Sequence, residues 1–209
     1  MKEAPRLFSY IVAWDGGLAP NPYWEHCTLA VCKPQIRVTA REGDWIVGLS
    51  PRRLGYVLVY AMRVAEVLTF GEYFNEPGYL AKRPEVNSDD FRKVLGDNIY
   101  EPLADGIYKQ LLSIHSYPDG SENPEHKQRD LSGRHVLAAE EFYYYGDANR
   151  QLPGSLDFLQ VRRGHRCRFS PQEIKAFLRY VEKLLPGMNG RPCELEKALV
   201  RFLPREWAY

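Results

Sequence analysis

A chain of 209 residues, 44% hydrophobic and 13% aromatic, can bury a real core, so a disordered chain is excluded and the length suits one domain, or one with an appendage. With 28 Lys and Arg against 27 Asp and Glu there is no global positive field, which disfavours long non-specific duplex binding and confines any nucleic-acid surface to a local patch. Cys27, Cys32, Cys167 and Cys193 form no CxxC pair and follow no secretory leader, so reduced thiols in the cytoplasm are expected, without disulfide or metal.

Phe8 to Trp14 is predicted as a short strand, ended by Asp15-Gly16-Gly17, which puts Asp15 at a strand mouth. Pro20 and Pro22 stiffen the approach to Tyr23-Trp24, where Trp24 is either a wall of a base pocket or the plug of a barrel end. From Cys27 to Ser50 the pattern predicts two strands joined by a tight turn. Leu29, Val31, Ile36 and Val38 line one face, and Thr28, Lys33, Arg37 and Thr39 line a polar, basic one. Glu42-Gly43-Asp44 is the turn and Trp45-Ile46-Val47 the returning strand. The spacing of His26, Cys27 and Cys32 is wrong for a zinc knuckle.

Tyr56 to Val67 carries the longest strand pattern and is expected to be central. Thr69 and Glu72 open a short helix as a capping box. Asn87 to Leu95 is predicted as a helix closed by Gly96. Next come Asp97, Asn98 and Tyr100, which either satisfy a helix-exit turn or serve a base edge: the amide donates and accepts, the carboxylate accepts from an exocyclic amine, and the phenol stacks. Tyr117 to Arg134 is polar and rich in turn formers, a loop or lid in which His126 and Arg129 are solvated.

His135 to Leu137 and Phe142 to Tyr145 are further strands. Alternation puts Phe142 and Tyr144 on one face and Tyr143 and Tyr145 on the other, so one tyrosine pair is expected to leave the core as a stacking surface or interface. Val161 to Phe169, with Arg162, Arg163 and Arg166, is the one strongly cationic run, either a solvated edge or a phosphate surface. Ser170-Pro171-x-Glu173 starts a helix with an apolar stripe through Phe177 and Val181, and Pro192 to Leu203 is a second one. No run approaches the ~20 apolar residues of a membrane span.

The Cys27 to Ser50 segment, a strand leading through Gly-Asp into an apolar run, resembles small PUA-like barrels, the superfamily of ASCH, EVE and YTH domains, many of which grip a modified nucleobase. Taken with FSYIVAWD (8–15), APNP (19–22), GDNIY (96–100) and FYYYG (142–146), the order and spacing resemble the second type of nucleotide modification associated domain, a prokaryotic and phage family. That resemblance implies dealings with modified nucleotides or nucleic acid and does not separate a reader from an enzyme.

The expected fold is therefore α+β: a small, mostly antiparallel PUA-like β-barrel over residues 1–169, with peripheral helices and a lid at 117–134, and a C-terminal helical pair at 170–209. The expected function is a module that binds a modified nucleobase, nucleotide or nucleic acid. Trp24 and Tyr100 would stack, Asn98 and Asp97 would meet the base edge, and Lys33, Arg37, Arg162, Arg163 and Arg166 would meet phosphate. The alternative is a hydrolase or transferase on the same ligands, with Lys33 and Asp97 or Asp15 acting, since a desolvated lysine can serve as base or nucleophile. A third reading is a protein-binding accessory with the tyrosines as interface. No cofactor is implied, and no standard catalytic motif is present.

Overall fold

The computed structural model describes residues 4–202. In chain order these form β1 (Leu7–Ile11), β2 (Cys27–Leu29), α1 (Pro34–Thr39), β3 (Trp45–Leu49), β4 (Leu58–Arg63), β5 (Glu66–Thr69), α2 (Phe70–Asn75) and α3 (Phe91–Val94). There follow β6 (Tyr100–Pro102), β7 (Tyr108–Gln110), α4 (Pro124–Leu131), β8 (His135–Ala139), β9 (Phe142–Tyr144), β10 (His165–Arg166), α5 (Pro171–Val181), β11 (Gly187–Met188) and α6 (Leu195–Val200). The strands make a six-stranded sheet in the order β10-β1-β3-β4-β9-β11, a three-stranded sheet β2-β8-β5 and the hairpin β6-β7. Pairing is antiparallel except between β1 and β3 and between β9 and β11. The chain is thus α+β and mostly antiparallel, as expected.

The expected barrel does not form: no pairing among the described residues closes a sheet on itself. The long pattern from Tyr56 to Val67 explains why. It is two strands in different sheets, because Val64 N–H turns to Asp44 O and Ala65 N–H to Ala138 O, so the chain leaves the large sheet instead of curling with it. The β4 half is central, as predicted.

The expected two-strand reading of Cys27 to Ser50 also changes. Only Cys27–Leu29 is extended, and Pro34 opens α1 at the place where Ile36 and Val38 suggested a second run of strand. Pro34 presets a helical φ and needs no N–H at a first turn, and Ile36 and Ala40, four apart, share the buried side while Val38 is exposed. The Glu42-Gly43-Asp44 turn is present, with Gly43 at φ 86° and the Asp44 carboxylate accepting from Arg6 and from Arg41 N–H. It joins α1 to β3, and Trp45 and Ile46 point to opposite faces of the sheet.

Both faces of the large sheet are covered. Phe8, Tyr10, Ile46, Tyr60, Met62, Phe142 and Tyr144 meet Cys27, Leu29, Leu137 and Ala139 of the small sheet and Ile36 of α1. On the other face Leu7, Trp45, Val47, Tyr143 and Tyr145 pack under Phe177, Val181 and Leu184. The predicted alternation of Phe142 to Tyr145 holds, but neither tyrosine pair leaves the core, because α5 lies over the second one. Trp45 and Phe177 meet edge to face at 5.5 Å between ring centroids. A third cluster lies beyond the small sheet, where Ala30, Val31, Val136 and Ala138 meet Phe70, Tyr73, Tyr79, Tyr100 and Leu195.

The two expected C-terminal helices are present as α5 and α6 and pack on different clusters. The apolar stripe of α5 seals the large sheet, whereas Leu195 and Ala198 of α6 belong to the third cluster, with Glu194 N–H tied to Asp15 O at 2.9 Å. Leu203, the predicted end of the second helix, lies outside the described residues. The capping boxes at Thr69 and Ser170 are both present. The helix predicted over Asn87 to Leu95 shortens to four residues. Within Tyr117 to Arg134, expected as loop or lid, lies α4, capped by Asn123 with Pro124 in its first turn. Its anchor is Asp130, a charged residue with 0% of its surface exposed. No helix of the described residues is long and apolar enough to cross a membrane.

Candidate functional site

Between β2 and α1 the chain turns on non-glycine residues. Cys32 and Lys33 lie in succession at φ 59° and 40°, in the left-handed region, where each side chain costs on the order of 1 to 3 kcal/mol. Pro34 is the local reason, since its ring disfavours a right-handed helical conformation at the residue before it. The turn is held from both sides. Cys32 N–H donates to Asp130 Oδ1 at 2.9 Å, and Cys32 O accepts from Arg37 Nε at 2.7 Å. Arg37 is fully buried, also donates to His135 O at 2.6 Å and to Asp130 O, and lies against the backbone of Gly133, where a Cβ would stand 2.2 Å from the guanidinium carbon.

Asp130 reaches this turn from α4, 98 residues on. Its Oδ2 accepts from His115 Nδ1 at 2.5 Å and from Tyr100 OH at 2.9 Å. The other ring nitrogen of His115, Nε2, faces Cys32 Sγ at 3.8 Å. A half-buried thiol, an imidazole and a buried carboxylate therefore stand in line. His115 is held by Gln110, whose Nε2 donates to His115 O at 3.2 Å, and by the His126 ring, near-perpendicular to its own with centroids 4.5 Å apart. Burial works against the charged imidazole, but the Asp130 and Cys32 partners outweigh it and push His115 up to about 9. Asp130 moves the opposite way: burial would raise it, and the His115 bond holds it below the usual carboxylate range.

Lys33 points away from this line, toward β1. Its Nζ donates to Ile11 O at 3.2 Å and sits 4.5 Å from the centre of the Tyr10 ring, whose hydroxyl is 2.9 Å from Tyr60 OH. Burial lowers the Lys33 pKa, and the neighbouring Cys32 acts in the opposite sense. The Tyr10 strand pairs with β10, so His165 stands beside this lysine; burial first, then the Lys33 charge, lowers its pKa. Arg162 and Arg163 are exposed just ahead of β10. Arg166 is committed elsewhere, to Glu173 at 2.8 Å and Phe158 O at 2.6 Å.

Asp97, Asn98 and Tyr100 are 1 to 2% exposed and are bonded inside the protein. Asp97 accepts from Thr28 and Tyr73 hydroxyls, both at 2.6 Å, and Asn98 Nδ2 donates to Tyr73 O at 2.9 Å. Beside them lies Lys82, 0% exposed, whose ammonium donates to Asn21 Oδ1 at 2.8 Å and to Asn21 O and His26 O, both at 3.0 Å. Burial pushes Lys82 down to about 8 and Asp97 up, each partly restrained by the other's charge. Asp15 is buried against Tyr144 OH at 2.8 Å and Cys193 N–H at 3.2 Å, and burial raises its pKa. No hydrogen bond or ion pair joins Lys33 to Asp97 or Asp15 among the described residues. Trp24 lies before β2, at the end opposite Cys32, and lines a groove of about 480 Å³ with Arg92, Phe142 and Met188. Arg92 stands 4.5 Å over its ring.

Among the described residues, Cys32, His115 and Asp130 are also a set with metal-ligand chemistry, their donor atoms lying within 4.8 Å of one another. Asp130 Oδ2 holds His115 Nδ1, the place of an outer partner rather than a ligand, and the two donors that remain, Sγ and Nε2, are too few for a cage. Sequence reasoning missed His115 and Asp130. His115 lies 83 residues from Cys32, and no local pattern links them. It missed Lys82 as well, because a lysine beside Arg83 and Pro84 reads as surface.

A family model described as nucleotide modification associated domain 2 matches residues 4–199. No curated protein and no solved structure matches the chain.

Proposed function

The chain belongs to the nucleotide modification associated domain 2 family, and on that premise we propose that it holds a modified nucleotide, free or within nucleic acid, by its phosphate on the Lys33 shelf. The observation that carries this reading is a partly buried ammonium on a left-handed turn, beside His165, whose strand follows the exposed Arg162 and Arg163. A phosphate arriving there displaces one backbone contact of Lys33 and gains a cation already stripped of much of its water. Arg37 and Arg166 act on protein atoms instead, the first shaping the turn and the second bracing β10 against α5. Asp97, Asn98 and Tyr100 are spent on bonds inside the protein, and Trp24 is a separate stacking wall before β2.

The test is nucleoside monophosphate affinity by calorimetry at several salt concentrations, for wild type, Lys33→Met and the Arg162→Gln/Arg163→Gln double variant. Lys33→Met is expected to weaken binding roughly tenfold or more. The double variant should lower the salt slope by up to about two units for a polymer, and less for a mononucleotide. Equal affinity in all three proteins defeats the phosphate shelf.

A further inference from the structure

We propose that Cys32 is a catalytic thiol nucleophile, with His115 its acid and base and Asp130 its positioning residue, and that it cleaves the amide bond of an N-acylated nucleobase. The substrate class rests on the nucleotide reading above; the nucleophile itself stands on geometry. Three observations carry it. The Cys32 to His115 and His115 to Asp130 contacts run in the order thiol, imidazole, carboxylate, at 3.8 and 2.5 Å. The first is long for a hydrogen bond to sulfur and short enough to tighten when substrate binds. The thiol also stands on a strained turn from strand to helix, the device that pushes a nucleophile clear of its own backbone, and both flanks of that turn are clamped by buried polar groups. Finally, His115 Nδ1 is tied to Asp130, which fixes the ring so that Nε2 faces sulfur.

The chemistry follows from those positions. The Cys32 proton passes to His115 Nε2, and sulfur attacks the amide carbon, forming a C–S bond as the carbonyl electron pair moves onto oxygen. Collapse restores the carbonyl and breaks the C–N bond, and the amine of the nucleobase leaves with the proton from His115. Nitrogen is a poor leaving group, so the imidazolium that His115 becomes on taking the thiol proton is the acid this step requires. Water then attacks the thioester, giving its proton back to Nε2, and the C–S bond breaks to free Cys32. The products are a carboxylic acid and the unacylated base. Amide cleavage is the class chosen because nucleobases carry amines that can be acylated, and because a thiolate is a strong nucleophile toward carbonyl carbon.

Cys167 and Cys193 are exposed and provide reference thiols in the same chain. The first measurement uses no nucleotide: site-resolved iodoacetamide alkylation of wild-type protein from pH 5 to 9, read by mass spectrometry. Cys32 is expected to react at least tenfold faster than Cys167 at pH 6, and His115→Gln should bring it to the Cys167 rate. Equal rates and identical pH profiles for Cys32 and Cys167 in wild type overturn the nucleophile, whatever becomes of the phosphate shelf. One equivalent of transition metal in purified protein, lost in Cys32→Ser, overturns it too. The second measurement incubates wild type with N4-acetylcytidine 5′-monophosphate and looks for an acetyl adduct on Cys32 that hydroxylamine removes, together with free cytidine monophosphate. A reactive Cys32 that yields neither adduct nor product overturns the N-acyl substrate class, and failure of the nucleotide to bind at all counts against the phosphate shelf instead.

Discussion

Two buried polar networks lie on the same side of the small sheet, and the contrast between them separates architecture from chemistry. Around Asp97 every member is sealed: Thr28, Tyr73, Asn21 and Lys82 are 2% exposed or less, and each donor ends on a protein acceptor. Around Asp130 the same ingredients recur, a carboxylate receiving a tyrosine hydroxyl beside a buried cation, but the chain of contacts runs on through His115 to a half-buried thiol. A sealed network rigidifies; a network that opens at one end hands its electrostatics to whatever arrives there.

If that distinction holds, removing the sealed carboxylate damages the fold most. Asp97→Ala removes the 2.6 Å acceptor of two hydroxyls and leaves Lys82 buried without its counter-charge, so a loss on the order of 3 to 5 kcal/mol is expected in urea denaturation. A loss under about 1 kcal/mol would mean that water replaces the carboxylate and that the network is not sealed.

The open network should show itself in pH dependence. Burial lowers the His115 pKa, but Asp130 and Cys32 raise it further, from 6.5 to about 9 in the folded chain. Its stabilisation is therefore fully present below pH 6.5 and is lost as pH rises through about 9, a change of roughly 3 kcal/mol by linkage. The difference in unfolding free energy between wild type and His115→Gln should shrink over that window, and a constant difference contradicts the ionic contact. Comparing the two proteins at each pH removes the opposing trend of Lys82, whose depressed pKa makes its burial less costly as pH rises above about 8.

The smallest effect tests the clamp between the networks and the turn. In Gly133→Ala the new Cβ would fall 2.2 Å from the Arg37 guanidinium carbon, so the arginine must shift, at about 1 to 3 kcal/mol. Because Arg37 holds Cys32 O, the same change should slow Cys32 alkylation at pH 6 more than that of Cys193. An unchanged ratio of the two rates would detach Arg37 from the thiol.

Parts of this arrangement were legible in the chain itself. The capping boxes at Thr69 and Ser170, the Gly43 turn, the strands β1, β3, β8 and β9 and the alternation of Phe142 to Tyr145 all depend on residues within a few positions of one another, and local sterics and local hydrogen bonds decide them. The order of short motifs likewise carried the family membership. Other features lay beyond such reasoning. Six residues from Pro34 to Thr39 fit a strand by the alternation of Ile36 and Val38 and a helix by the spacing of Ile36 and Ala40, and burial against Leu29 and Leu137 chose the helix. The step from β4 to β5 was invisible because an apolar run says nothing about which sheet receives it. Whether Arg37 and Lys82 face solvent or carbonyl oxygens depends on acceptors from distant segments, His135 and Asp130 for one, Asn21 and His26 for the other. The thiol, imidazole and carboxylate come from β2's exit, the turn after β7 and the last turn of α4, so their alignment exists only once the small sheet and α4 have packed, and it is the packing that makes three unremarkable residues a site.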